Sequence, residues 1–152
     1  VRAYQEVGKT EARVAIGGGR AAGLDRGYYV EPTIFYDASN SACIAREEIF
    51  GPVATVIPFE NEAGAISIAN DTPYGLAAAV WSRDIYRAFR VVRALRAGIV
   101  WVNHMQPTYV EAPWGGYKQS GFGRELGPGG MDEYLETKQV YVNLNEQPIG
   151  WY

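Results

Sequence analysis

The fold is decided by two apolar segments, GLAAAVW at 75–81 and IVWVN at 99–103, and by the amphipathic segment at 85–95 between them. Nearly continuous apolar runs of this length are typical of strands buried on both faces of a parallel sheet. The segment between them is apolar at helical intervals, at Ile85, Phe89, Val92 and Leu95. We expect a helix that Gly98 closes. Strand, helix and strand in this order predict a βαβ unit of a parallel α/β sheet.

The alternation extends towards the N-terminus. Residues 53–57, VATVI, are typical of a strand, and Asn61 is placed to cap a helix that stops near residues 70–73. Further upstream we expect strands at 12–16 and 28–35, the second restricted by Pro32 to a sheet edge or a bulge. The first seven residues indicate the last turns of a helix that ends at Gly8, since no start signal precedes them.

Composition excludes several classes of protein. The chain has 152 residues, of which 47% are hydrophobic and 20% charged, so it is not a disordered tail. A net charge of -3 gives no reason to expect nucleic acid as a partner, and no apolar run predicts a membrane partner. Without a signal-peptide pattern we expect a cytoplasmic protein. One cysteine and one histidine exclude an internal disulfide and a Cys/His metal cluster, so no metal site is predicted.

The segment EEIFGPV at 47–53 carries the first candidate site. Gly51 and Pro52 form a turn ahead of the expected strand, and such a turn can hold side chains at a sheet end. The carboxylate of Glu48 could accept hydrogen bonds from both hydroxyls of a ribose, and Phe50 offers a flat apolar face for a ring. The alternative, with about even weight on these residues alone, is a salt-bridged loop with a core phenylalanine.

A second candidate site is the loop at 104–118, which follows the last strand of the βαβ unit. Tyr109 and Trp114 stand near Glu111 on a frame of glycine and proline that could line a pocket. The alternative is that the aromatic side chains plug the space under the loop. Cys43 is a weak nucleophile candidate because no histidine lies near it, so a small buried side chain is favoured.

Four stretches together resemble the aldehyde dehydrogenase superfamily, in that family's order. They are residues 47–53, EEIFGPV; residues 70–80, NDTPYGLAAAV; residues 101–103, WVN; and residues 113–121, PWGGYKQSG. The resemblance runs from about Tyr28 to the end of the chain.

The resemblance implies roles for specific residues. Glu48 corresponds to the family's glutamate on the nicotinamide-ribose hydroxyls, and Phe50 to the aromatic residue beside the nicotinamide, so the cofactor is NAD or NADP. Residues 1–135 correspond to part of the catalytic domain, and residues 136–152 to an oligomerisation strand and a C-terminal tail. Because residues 139–144 resemble the strand that pairs between subunits, a homo-oligomer is implied, a dimer or tetramer in the parent enzyme.

The family's nucleophilic cysteine and general base lie upstream of these motifs, and Cys43 does not match the nucleophile. The chain is therefore expected to be the C-terminal part of a longer NAD(P)-dependent enzyme and to be inactive alone. A small aldehyde is the implied substrate, and APWGG at 112–116 with PIGWY at 148–152 is most similar to betaine aldehyde and aminoaldehyde dehydrogenases. Thr108, Tyr109 and Trp114 are the implied substrate-pocket residues. The alternative is a non-catalytic assembly or interaction module derived from that family.

Overall fold

The computed structural model describes residues 1–147 and Gly150. Its helices and strands alternate along the chain: α1 (Arg2–Glu11), β1 (Arg13–Ile16), β2 (Thr33–Tyr36), α2 (Cys43–Arg46), β3 (Val53–Thr55), α3 (Glu62–Asn70), β4 (Tyr74–Gly75), β5 (Ala77–Val80), α4 (Ile85–Ala94), β6 (Ile99–Val102), β7 (Tyr117–Lys118) and a 3-10 helix (Pro128–Tyr134). In the part of the chain that the structure describes, every helix is too short or too polar to cross a bilayer.

The strands form three small sheets. β2 lies between β1, its antiparallel partner, and β3, its parallel partner. β5 and β6 pair in parallel through the connection formed by α4, and β4 and β7 form a short antiparallel pair. The predicted α/β class and the parallel pairing of β5 with β6 are therefore confirmed, whereas the parallel pairing of β2 with β3 was not predicted. The single parallel sheet is corrected, because within residues 1–147 the parallel pairs are not joined to each other and two antiparallel pairs accompany them.

The first sheet and α1 enclose a small core. Phe35 on β2 is fully buried, and it packs with Ala42 and Ile44 from the segment that begins α2. The prediction that Gly8 ends the first helix is wrong, since α1 continues to Glu11. A Cβ on Gly8 would lie 2.5 Å from Cζ of Phe35. Glycine is therefore required here by the close approach of a ring and not by a helix end.

Pro32 also acts differently from the prediction. β2 begins at Thr33, directly after the proline, and it is the central strand of its sheet. The missing N–H of Pro32 interrupts no strand pairing, because the proline stands just before β2. The first amide of β2, that of Thr33, donates to the carbonyl of Pro52 at 2.9 Å.

The helices before and after β5 in the chain, α3 and α4, are both capped by side chains. The side chain of Asn61 accepts a hydrogen bond from the amide of Gly64 at 2.9 Å, which confirms the predicted cap of α3. Asp84 caps α4 in the same way by accepting from the amide of Arg87 at 3.1 Å. The guanidinium of Arg90 donates two hydrogen bonds to Glu62, at 2.7 and 2.8 Å, and thereby links α4 to α3.

The helix predicted at 85–95 is confirmed, but Gly98 does not close it. α4 ends at Ala94, and Leu95 already has an extended backbone. Gly98 stands at the start of β6, where the carbonyl oxygen of Gly115 lies so close that no Cβ could be accommodated. This glycine therefore allows the loop at 104–118 to approach the sheet.

The C-terminal segment has little regular structure. Beyond the 3-10 helix, residues 135–147 form no strand, and Val140, Tyr141, Val142 and Leu144 are between 72% and 88% exposed. The strand predicted at 139–144 stays a prediction, because a strand that pairs between subunits needs a second chain to pair with. Of the predicted C-terminal tail, residues 148, 149, 151 and 152 lie outside the described residues.

Candidate functional site

The first candidate site is the loop at 47–51, named here the acidic loop, which connects α2 to β3. Its side chains differ in their contacts with the rest of the protein. Glu47 accepts a hydrogen bond of 2.6 Å from the hydroxyl of Tyr4, and Ile49 packs against the core cluster. Glu48 and Phe50 are exposed, with 91% of Phe50 accessible. The two predicted cofactor residues are therefore both accessible to a ligand.

Hydrogen bonds fix both the short helix before the acidic loop and the turn that ends it. The carboxylate of Glu11 accepts from the amides of Cys43 and Ile44, at 3.0 and 3.2 Å, and so satisfies the first amides of α2. At the other end of α2, one guanidinium nitrogen of Arg46 donates to the carbonyl and the carboxylate of Asp71, each at 3.1 Å. The amide of Gly51 donates to the carbonyl of Ile49 at 2.7 Å and closes the turn.

The charge of Glu47 affects two neighbouring groups. Its hydrogen bond with Tyr4 raises the pKa of that phenol, with smaller contributions from burial and charge. Burial is the first cause that raises the pKa of the Cys43 thiol, followed by the charge of Glu47. A raised pKa keeps Cys43 protonated and unreactive, which agrees with the interpretation of this cysteine as a structural residue. Its side chain is half-buried.

The acidic loop has the groups that a nicotinamide nucleoside requires. The carboxylate of Glu48 has no hydrogen-bond partner among residues 1–147, so both of its oxygens can accept from ribose hydroxyls. One face of the Phe50 ring is open for apolar contact with a planar heterocycle. The alternative of a core phenylalanine is therefore wrong for Phe50, and the predicted salt-bridged loop involves Arg46 but neither candidate residue.

The second candidate site is a cavity of about 410 Å3 beside β5 and β6. Thr108 and Trp114 both line it, so the structure brings together two of the three predicted substrate-pocket residues. Tyr109 lies outside this lining and is 64% exposed. Trp101, Met105 and Leu76 complete the apolar wall and were not predicted as site residues. All four residues of β6 are apolar and partly buried, so no alternation along this strand could have identified Trp101.

Trp114 is held by its backbone and by a second ring. Its amide and carbonyl pair with the carbonyl and amide of Glu125, at 2.6 and 2.8 Å. Its ring centroid lies 6.3 Å from that of Trp101, with the planes inclined by 51°. The indole of Trp101 donates to the carbonyl of Pro107 at 3.1 Å and is thereby oriented. A tilted pair of rings on a fixed backbone presents an electron-rich surface to the cavity.

The described residues contain no group of three His, Cys, Asp or Glu side chains placed to hold a metal ion. The two candidate sites offer an exposed carboxylate and an exposed aromatic ring in the acidic loop, and an aromatic wall around a separate cavity.

Comparison with known proteins relates this geometry to a family. The model of the aldehyde dehydrogenase family matches residues 1–140. A chloroplastic betaine aldehyde dehydrogenase of Atriplex hortensis is 53% identical over 141 residues, which cover 93% of this chain and 28% of that protein. A peroxisomal aminoaldehyde dehydrogenase of Pisum sativum is also 53% identical, with the same coverage. The chain thus spans less than a third of the length of these relatives.

Solved structures give the same assignment. A betaine aldehyde dehydrogenase of Staphylococcus aureus in complex with NAD+ superposes with a TM-score of 0.92 at 47% identity, covering 99% of this chain and 31% of that chain. An indole-3-acetaldehyde dehydrogenase of P. syringae in complex with NAD+ superposes with a TM-score of 0.90 at 48% identity, covering 94% and 29%.

Proposed function

The chain belongs to the aldehyde dehydrogenase family, and from that premise we propose that it forms the nicotinamide-ribose part of the active site of an NAD(P)-dependent aldehyde dehydrogenase. Residues 1–135 would form part of the catalytic domain, and residues 136–152 the oligomerisation strand and tail. We expect the parent enzyme to reside in the cytoplasm.

The observation that supports this proposal most directly is the exposure of two side chains of the acidic loop. Glu47 and Ile49 contact other elements, whereas Glu48 and Phe50 are exposed. The Phe50 ring can therefore cover a planar ligand, and the Glu48 carboxylate can accept hydrogen bonds from ligand hydroxyls.

In this proposal Glu48 and Phe50 each have a binding role. NAD(P) supplies the hydride acceptor when it is bound. Glu48 would hold the two ribose hydroxyls, Phe50 would cover one side of the nicotinamide, and together they would fix the orientation of the ring towards the aldehyde. The only cysteine, Cys43, is kept as a thiol, so the nucleophile would come from another part of the enzyme, and the chain by itself would be inactive.

The test is the replacement Glu48→Gln in the full-length parent enzyme. The amide keeps the size of the side chain but removes the charge that strengthens both hydrogen bonds to the ribose. Losing charge-assisted hydrogen bonds at one site should lower kcat/KM for the cofactor by about ten- to a hundred-fold. Initial rates at varied NAD+ and NADP+ measure the effect.

Glu60→Gln is the matched control, because Glu60 is exposed and lies outside both candidate sites. We expect the control to change cofactor kinetics by less than about two-fold. Equal cofactor kinetics in the wild type and in Glu48→Gln would overturn the assignment of the acidic loop.

We also propose that the substrate is an aldehyde carrying a cationic group, either betaine aldehyde or an aminoaldehyde. Trp114 and Thr108 line the 410 Å3 cavity, and Trp101 adds a second ring to it. Attraction between a cation and an aromatic face is worth about 0.5–2 kcal/mol. Trp114→Ala should therefore reduce the preference for a trimethylammonium aldehyde over its uncharged isostere by about two- to thirty-fold. An unchanged preference would exclude this wall as the ammonium site.

A second candidate function is assembly with another chain, as an interaction module or as the subunit contact of a homo-oligomer. Val140, Val142 and Leu144 are apolar at alternate positions and are more than 70% exposed. In the test, Val142→Pro removes a strand amide, whereas the control Val142→Ala keeps it. Sedimentation velocity of the 152-residue chain should show that only the proline variant shifts towards monomer. A wild-type chain that sediments as a monomer at all concentrations would contradict this proposal.

A further inference from the structure

We infer that Tyr4 is a positioning residue for the nicotinamide-ribose site: its hydroxyl holds Glu47 and thereby fixes the orientation in which the acidic loop presents Glu48 and Phe50. The inference rests on the proposed function of that loop and adds a residue from a different element, α1, to its machinery.

One face of α1 lies along the whole segment that carries the acidic loop. Val1, Tyr4, Gly8 and Glu11 are spaced by three, four and three residues, so they share one side of the helix. Val1 packs against Gly51, Tyr4 donates to Glu47, and Glu11 accepts from the first amides of α2. Because Gly8 has no side chain, the same face of α1 can lie against the Phe35 ring.

The contact at Glu47 has the most direct effect on the site. Glu47 directly precedes Glu48 in the chain, and its carboxylate is held by the hydroxyl of Tyr4 on α1. Holding one carboxylate against α1 therefore restricts the rotation of the backbone that aims the next carboxylate at solvent. The donor–acceptor distance of 2.6 Å is that of a hydrogen bond to a charged acceptor, which is stronger than a bond between neutral groups.

Tyr4 is also separable from the packing of the core. Within residues 1–147, the buried cluster consists of Phe35, Ala42 and Ile44, and Tyr4 is not among the side chains packed against it. Removal of its hydroxyl alone should therefore leave the core intact. This separation allows a positioning role to be distinguished from a contribution to stability.

The first test is amide hydrogen exchange of the 152-residue chain without cofactor. Tyr4→Phe deletes the hydroxyl and keeps the ring. We expect exchange of the amides of Glu47, Gly51 and Val53, each hydrogen-bonded within this segment, to increase about ten-fold. Amides of α4 should exchange at the wild-type rate. Tyr86→Phe is the control, since Tyr86 lies on α4 and is 82% exposed.

The second test is cofactor affinity of the full-length parent enzyme, measured by calorimetry. Tyr4→Phe should raise the Kd of NAD(P) by about three- to ten-fold and leave the KM of the aldehyde unchanged, because the acidic loop is separate from the substrate cavity. In the background of Glu47→Ala, Tyr4→Phe should have no further effect, since the acceptor of its hydrogen bond is already missing.

The outcomes separate this inference from the proposed function. Wild-type exchange of the acidic loop in Tyr4→Phe, or faster exchange throughout the chain, would overturn the positioning role. An undiminished effect of Tyr4→Phe in the Glu47→Ala background would also overturn it. If the loop amides respond but Glu48→Gln leaves cofactor kinetics unchanged, the proposed function fails and the bracing of the loop by Tyr4 is retained.

Discussion

Residues 1–57 and residues 62–102 have similar local structure but very different packing. In the first region Phe35 and Ile44 are buried, with 0% and 4% exposure, and the buried side chains of Gln5 and Thr33 hydrogen-bond to each other at 2.7 Å. In the second region both helices have side-chain caps, yet Ala88 is the only buried side chain among residues 62–102.

The second region leaves its apolar surface open. Trp81 is 62% exposed and Phe89 is 53% exposed. A groove of about 790 Å3 runs between α3, α4 and β5, lined by Ile66, Val91 and other apolar side chains. A cap forms at one helix end and an ion pair needs only two side chains, whereas a core needs side chains from several elements. The two candidate sites follow this division, since the acidic loop belongs to the packed region and the aromatic wall to the open one.

The largest expected effect is that of Phe35→Ala. Removing a fully buried phenylalanine should cost about 3–5 kcal/mol of unfolding free energy, a large part of the stability of a domain this size. Phe89→Ala is the counterpart in the open region and should cost less than about 1 kcal/mol, because half of that ring already contacts water. Urea denaturation of the 152-residue chain measures both. Equal losses would show that the two regions are packed alike.

A smaller effect is expected from adding one methyl group to a glycine of α1 or α3. Gly8→Ala gains helix propensity of about 1 kcal/mol but forces a Cβ against the Phe35 ring, so we expect a net loss of about 1–2 kcal/mol. At Gly64 the nearest atom, Oδ1 of Asn61, would lie at an ordinary 3.6 Å. Gly64→Ala should therefore stabilise the chain by up to about 1 kcal/mol. Stabilisation by both substitutions would mean that Phe35 can move away from α1.

The smallest effect concerns the ion pair that links α3 to α4. Hydrogen bonds from Arg90 are the main cause that lowers the pKa of Glu62 below its ordinary 4.5. A carboxyl group whose pKa is lower in the folded state stabilises that state above the ordinary value and loses this contribution as the pH falls through the folded pKa. The Tm difference between wild type and Glu62→Gln should thus be present at neutral pH and shrink below about pH 4.

Arg90→Gln supplies the control for this pH dependence, because the pair requires both partners. Its Tm difference from wild type should shrink over the same acidic range. A Tm difference that is constant from neutral to acidic pH would show that the charge of Glu62 does not contribute to stability. Only capping and packing would then stabilise the two helices.

The sequence was sufficient for elements defined by local signals. Asn61 and the period of Ile85, Phe89 and Val92 predicted α3 and α4 to within about two residues. The glycine-proline turn of the acidic loop is also a local signal, but the roles of Glu48 and Phe50 at a cofactor stay predictions. Long-range approaches could not be predicted. Gly8 and Gly98 were interpreted as helix ends, whereas each accommodates a group from a distant part of the chain.

The same limit applies to the aromatic wall. Trp114 and Thr108 were predicted from the loop and its resemblance to a family, but Trp101 and Leu76 join them only through the pairing of β5 with β6 and the return of the loop over both strands. The antiparallel pairing of β1 with β2 was missed for a related reason. A single sequence does not indicate which of several strands will pair with a given strand.

The contact between Gly98 and the carbonyl of Gly115 has a consequence for directed evolution of the proposed aldehyde preference. The loop with Trp114 rests on the sheet at a point where no side chain fits, so randomising either glycine would displace the whole wall before any new specificity could be selected. Mutant libraries should keep both positions constant and vary Met105, Thr108 and Gln106, which line the cavity from an exposed stretch of the loop.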